Sequence, residues 1–209
     1  MISGNSRRYN PLAFAAALFI ASILTAMPAR AGHDGGNNPA WDIDKLMSLR
    51  QSVTSATAHF TERRYMQVLR EPLVVSGTLR YTAPDILSKE TIKPNHERFT
   101  VEGNTLTIEA GKDGQTQTLT LPDHPEIWAY TETIRAVLSG DLTALQRYYS
   151  LSMDGTASAW RLLLLPELRS MQNQIKWIRI SGSEAEIHSI DTQERNGDRF
   201  EMTVTKDAP

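Results

Sequence analysis

Leu73-Val74-Val75-Ser76-Gly77-Thr78-Leu79-Arg80-Tyr81-Thr82 sets Val75, Gly77, Leu79 and Tyr81 on one face of an extended chain, against Ser76, Thr78, Arg80 and Thr82 on the other. Such a period of two marks a strand with one buried and one wet face, the kind an antiparallel sheet uses. The neighbouring segments repeat it. Residues 58–69 are rich in Phe, Thr, Tyr and Val, and residues 86–92 continue the alternation. Gly103-Asn104 marks a tight turn between residues 99–101 and 105–108, and Gly111-Lys112-Asp113-Gly114 marks another before residues 115–121. The result is a sequential, local meander.

Helical spacing precedes and interrupts these strands. Asp42 is placed to cap a helix predicted over residues 43–56, in which Ile43, Leu46, Met47 and Val53 recur. After residues 122–125 the helical period returns with Ile127, Tyr130, Thr131, Ile134, Val137 and Leu138, and Gly140 stands where a C-cap glycine belongs. Asp141 can cap a second short helix carrying Leu142, Leu145, Tyr148 and Tyr149. The last third reads as strand over residues 157–165, 175–180, 184–194 and 199–205, with turns expected at Ser181-Gly182-Ser183 and Asn196-Gly197-Asp198. No strand–helix–strand unit of a parallel sheet is legible. The expected fold class is therefore mainly β with helices (α+β): one curved antiparallel sheet with helices on one face.

The N-terminus reads as an export signal. Arg7 and Arg8 form a basic start, residues 12–24 an apolar run, and Ala29-Arg30-Ala31 a small-x-small cleavage pattern, so cleavage is expected after Ala31. The run is shorter than the ~20 residues a spanning helix needs. Residues 32–40 are glycine-rich and polar, a flexible lead-in to a single domain over residues 41–209. Removing residues 1–31 takes three arginines and no acids, moving the formal charge from −2 to −5, which argues against a nucleic-acid partner. The chain contains no Cys, which excludes disulfides, thiolate zinc sites and lipidation after the signal.

Local catalytic signatures are missing: there is no G-x-S-x-G, H-E-x-x-H or phosphate loop. His33, His59, His96, His124 and His188 are scattered, so neither a metal nor another cofactor is expected. Arg63-Arg64 point to opposite faces of a strand and read as a solvated pair. Lys89 shares a face with Leu87 and Thr91; alternation favours an outward charge on the convex face over a cation at a cavity mouth. The apolar stripe of the interrupting helix serves either as ordinary core or as a lid over an apolar pocket.

Several motifs resemble the LolA-type periplasmic outer-membrane lipoprotein carriers. They are Ala58-His59-Phe60-Thr61-Glu62, Gly77-Thr78-Leu79-Arg80-Tyr81 followed by Pro84-Asp85-Ile86-Leu87, Val101-Glu102-Gly103-Asn104-Thr105-Leu106, Gly140-Asp141-Leu142 and Trp160-Arg161-Leu162-Leu163-Leu164-Leu165-Pro166. The resemblance spans residues 41–205, and the missing Cys is similar to the soluble carrier rather than its lipid-anchored receptor. It implies an incompletely closed barrel, helices as a lid, and a cavity that shields the acyl chains of a lipid or lipoprotein. It also implies an inner-membrane donor complex and an outer-membrane acceptor as partners, and a monomer without enzymatic activity. The cavity is expected to involve Leu79, Tyr81, Leu87, Lys89, Ile134, Val137, Leu138 and Phe200. Two positions depart from the family: Ala83 replaces an arginine that resembles a latch onto the lid, with Arg80 as the candidate substitute, and Lys89 replaces an aromatic wall residue. A lipoprotein-sensing module and an enzyme acting on acyl substrates are the alternatives.

Overall fold

The computed structural model describes residues 41–110 and 115–206, so the predicted signal, the lead-in and the turn at 111–114 lie outside the described residues. Helix α1 (Ile43–Arg50) is followed by six strands: β1 (Ser55–Tyr65), β2 (Leu73–Thr82), β3 (Ile86–Lys93), β4 (Glu97–Glu102), β5 (Thr105–Ala110) and β6 (Gln115–Thr120). A 3-10 turn leads into α2 (Pro125–Ser139) and α3 (Leu142–Gln146). Then come β7 (Tyr149–Thr156), β8 (Ala159–Pro166), the single turn α4 (Arg169–Gln172), β9 (Ile175–Ser183), β10 (Glu186–Glu194) and β11 (Arg199–Lys206).

The eleven strands of the described residues form one sheet in the order β6-β5-β4-β3-β2-β1-β11-β10-β9-β8-β7. Strand β1 joins the two halves of the chain, since Phe60 faces Gly77 on β2 and Val204 on β11. Strands β6 and β7 are the two edges, so the sheet does not close into a barrel. Between Ser76 and Gly77 the β2–β3 register slips. A Cβ at Gly77 would lie 1.8 Å from the Glu90 carbonyl oxygen, so only glycine permits the close approach that this bulge makes.

The expected elements are present, with shifted limits. Helix α1 stops at Arg50 rather than at residue 56, because Ser52-Val53-Thr54-Ser55 carries β-branched and hydroxyl side chains that favour leaving the helix, and Ser55 already starts β1. Strand β1 ends at Tyr65, not at residue 69. Tyr149 opens strand β7 rather than sitting on the second helix; as an edge strand with a mostly exposed Ser-, Asp- and Gly-containing sequence, β7 carries little β signal. Gly182 lies within β9, where a Cβ would meet the Trp160 ring at 2.5 Å, and the turn comes later, with Glu184 at φ 48°. The Asn196-Gly197-Asp198 turn and the Gly140 cap, at φ 72°, stand where the sequence places them.

Helix α2 contributes to two core groups. Tyr130, Ala136 and Val137 pack with Leu46 and Met47 of α1 and with Trp160, Leu162, Leu164 and Ile178 of β8 and β9. Ile127 packs with Tyr81, Leu87, Phe99, Val101 and Leu106 of strands β2 to β5. A third group, Phe60, Val75, Phe200 and Met202, lies on the central strands.

Candidate ligand-binding cavity

Between the inner face of the sheet and α2 lies a cavity of about 750 Å³. That is within the size range of small-molecule sites. Register explains the space. Ala56 is opposite Tyr81 and Ala58 is opposite Leu79, so two small side chains on β1 stand where larger ones would fill the groove. The walls are Leu79, Tyr81 and Leu87 of β2 and β3, Ile178 and Ile180 of β9, Ile190 of β10, and Met202 and Val204 of β11. Tyr130, Thr133, Ile134, Val137 and Leu138 close it from α2. Among the expected site residues, Leu79, Tyr81, Leu87, Ile134, Val137 and Leu138 thus converge on one space.

One end of the cavity is polar. Glu186 lies 2.8 Å from Lys206 and 3.9 Å from His188, and the Lys206 ammonium holds its carboxyl below the usual carboxylate range. These three side chains and Arg50 line that end.

Lys89 and Phe200 do not line the cavity, which corrects both expectations. Lys89 is fully buried and ion-paired with Glu62, which is itself 2.5 Å from Arg64. The Lys89 ammonium sits 4.8 Å from the centre of the Phe60 ring. Its stem reaches Glu62 past Gly77, the position on β2 that has no side chain. Burial pushes the Lys89 pKa down to about 8, against the opposing pull of Glu62. Neither the outward charge nor the mouth cation is therefore correct. Alternation rightly placed Lys89 beside Leu87 and Thr91, but its counter-charge lies two strands away. Arg63 and Arg64 do point to opposite faces, yet only Arg63 is solvated; Arg64 is buried. Phe200 faces Arg64 across β1 and β11 and packs on Phe60, beyond the cavity wall.

Two arginines that the sequence reading passed over tie α2 in place. Arg50 donates to the carbonyls of Val137 at 3.4 Å, Leu138 at 3.0 Å and Ala185 at 2.7 Å, joining α1, the C-terminal turn of α2 and the β9–β10 turn. Arg135 donates to the carbonyls of Gly103 and Asp85, the latter at 3.2 Å, in the β4–β5 and β2–β3 turns. Arg80, the expected substitute for the latch, borders the cavity and pairs with Glu90 at 3.5 Å. The helix-to-sheet contact thus runs from an arginine on the helix to carbonyls on the strand turns. The available signal was the single cation of α2, which carries two glutamates besides its apolar stripe.

No three His, Asp or Glu side chains converge as a metal site would require, among the described residues. Nor is any described helix long and apolar enough to cross a membrane. The family model for LolA-like outer membrane lipoprotein carrier proteins matches residues 35–208. The chain belongs to this family. Among solved structures, it is similar to a LolA superfamily protein from Nitrosomonas europaea at 10% identity, covering 80% of this chain and 93% of that one with a TM-score of 0.43. It is also similar to a chain of the Pseudomonas aeruginosa MucA/MucB complex, at 12% identity, 79% and 56% coverage and a TM-score of 0.41. A third is an outer membrane lipoprotein-sorting protein domain from Vibrio parahaemolyticus, at 8% identity, 78% and 88% coverage and a TM-score of 0.39. No curated protein gives a significant sequence match.

Proposed function

We propose that this LolA-like protein is a periplasmic carrier that shields the acyl chains of a lipid or lipoprotein on the way to the outer membrane. The observation that carries this reading is the apolar cavity between the open sheet and α2, with charged side chains gathered at one end. Burial of each methylene is worth about 0.8 kcal/mol, so such a cavity holds a chain without chemistry. The mostly aliphatic and aromatic walls support binding rather than catalysis in this proposal. A donor complex at the inner membrane and an acceptor at the outer membrane complete the proposed route.

A fluorescent fatty acid tests the reading. Leu138→Glu places a charge in the apolar wall, which costs several kcal/mol unless it is hydrated. Probe affinity is expected to fall at least about tenfold while far-UV circular dichroism stays native. Unchanged affinity in the folded variant contradicts the assignment. Export is tested separately by N-terminal sequencing of the protein made in a cell: the expected first residue is Gly32, and an intact Met1 end in the membrane fraction would refute it.

A further inference from the structure

We infer that strand β6 is a self-association surface, on which a second copy of this chain lays its own β6 antiparallel about a two-fold axis at Gln117 or Thr118. This contact is independent of the carrier reading and departs from the monomer that the family resemblance implies. An open sheet shows a row of backbone donors and acceptors at each edge, and folded proteins blunt such edges with charges, proline, bulges or covering elements. Strand β6 has no such protection. Its sequence Gln115-Thr116-Gln117-Thr118-Leu119-Thr120 contains no charge, proline or glycine, and five of its six residues are exposed. It pairs with β5 through all six residues without a bulge, from Thr105 opposite Thr120 to Ala110 opposite Gln115. No described strand lies beyond it. The other edge is different. Strand β7 carries Asp154 and Gly155 near its end, the glycine at φ 102°, where a Cβ would lie 2.1 Å from the Ala159 carbonyl oxygen. A charge and a left-handed residue both spoil a flat edge.

Composition selects the occupant. Two β6 strands related by a two-fold axis normal to the sheet keep their inner faces on the same side. About Gln117, that residue meets its own copy, Thr116 meets Thr118 and Gln115 meets Leu119. About Thr118, that residue meets its own copy, Gln117 meets Leu119 and Thr116 meets Thr120. Either way every pair is amide, hydroxyl or aliphatic, so no like charges stand opposite each other, and the hydroxyl and amide pairs can bond across the strands. A charged partner strand would find no counter-charge on β6. The contact is also isologous, so it uses up the open edge and closes at two copies. Pairing of one short strand buries less than the roughly 1,000 Å² of a stable interface, so the association is weak, with a Kd expected at about 0.1 mM or above.

The chain has no Cys, so single cysteines report the register directly. In the full chain as exported, Gln115→Cys, Gln117→Cys, Thr118→Cys and Thr120→Cys are oxidised with copper phenanthroline, with Ser152→Cys on β7 as the control. Residues directly opposite across antiparallel strands lie about 4.5–5.5 Å apart, within disulfide reach. The expected result is a disulfide dimer at Gln117→Cys or Thr118→Cys that forms at least about tenfold faster than at the outer two positions or at Ser152→Cys. Sedimentation equilibrium of the unmodified protein up to about 1 mM is expected to show a reversible dimer. Thr116→Lys/Thr118→Lys sets ammonium groups opposite one another about either axis, and should stay monomeric with native circular dichroism. Its fatty-acid affinity is expected to change by less than about threefold, so loss of self-association leaves the carrier reading standing. Equal crosslinking at all five positions, none at either central position, a wild-type protein monomeric at every concentration, or a dimer that survives the two lysines overturns the inference.

Discussion

Lys89 shows what a single residue decides here. Its period fixes the face, and burial on that face then demands a counter-charge, supplied by Glu62 with Arg64 alongside. Lys89→Met leaves Glu62 with one partner, and a loss of about 2–4 kcal/mol in urea unfolding is expected, with part of it recovered in the double variant Lys89→Met/Glu62→Gln. Since Lys89 does not line the cavity, fatty-acid affinity should change by less than about threefold, under 1 kcal/mol. A stability change near zero would remove the pair from this account. Glu194 offers a second test. Burial, and then Asp198, pushes its pKa from 4.5 up to about 7. Between those values the folded state holds a proton that the unfolded state has lost. Its contribution is therefore full below about pH 4.5 and is lost as pH rises through about 7. Glu194→Gln is expected to flatten stability across that window by roughly 1–2 kcal/mol, allowing for partial exposure. Urea titrations at the two ends of the window measure it, and an identical slope in both proteins would contradict it.

At the scale of elements, legibility followed signal strength. Helix α2 was readable because its apolar period runs for several turns and ends on Gly140, whose left-handed backbone favours glycine. The short edge strand β7 was not, since most of its side chains face solvent and its Ser, Asp and Gly carry no preference for a strand. Arginine contacts were also hidden: Arg50 and the carbonyls it binds on α2 are 87 and 88 residues apart. These contacts predict a local rather than a global effect. Arg135→Met should release the turns at Asp85 and Gly103 from α2, so amide exchange in α2 should quicken about tenfold or more while β1, β2 and β11 keep their protection. Uniform loss of protection across helix and central strands would instead make Arg135 part of the global fold.

For the molecule as a whole, the alternation of β1, β2, β3 and β11 was enough to infer a curved antiparallel sheet with an apolar inner face. It was not enough to locate the empty volume, which depends on how Ala56 and Ala58 align with Tyr81 and Leu79 across strands. The polar end has the same character, because Glu186 and Lys206 meet only when β10 and β11 pair. The central claim is that this volume holds an acyl chain. Native mass spectrometry of the protein with a long-chain fatty acid measures it directly. The account predicts at least one bound fatty acid on the wild-type chain and none on folded Leu138→Glu; no adduct on either protein, or equal adducts on both, would contradict it.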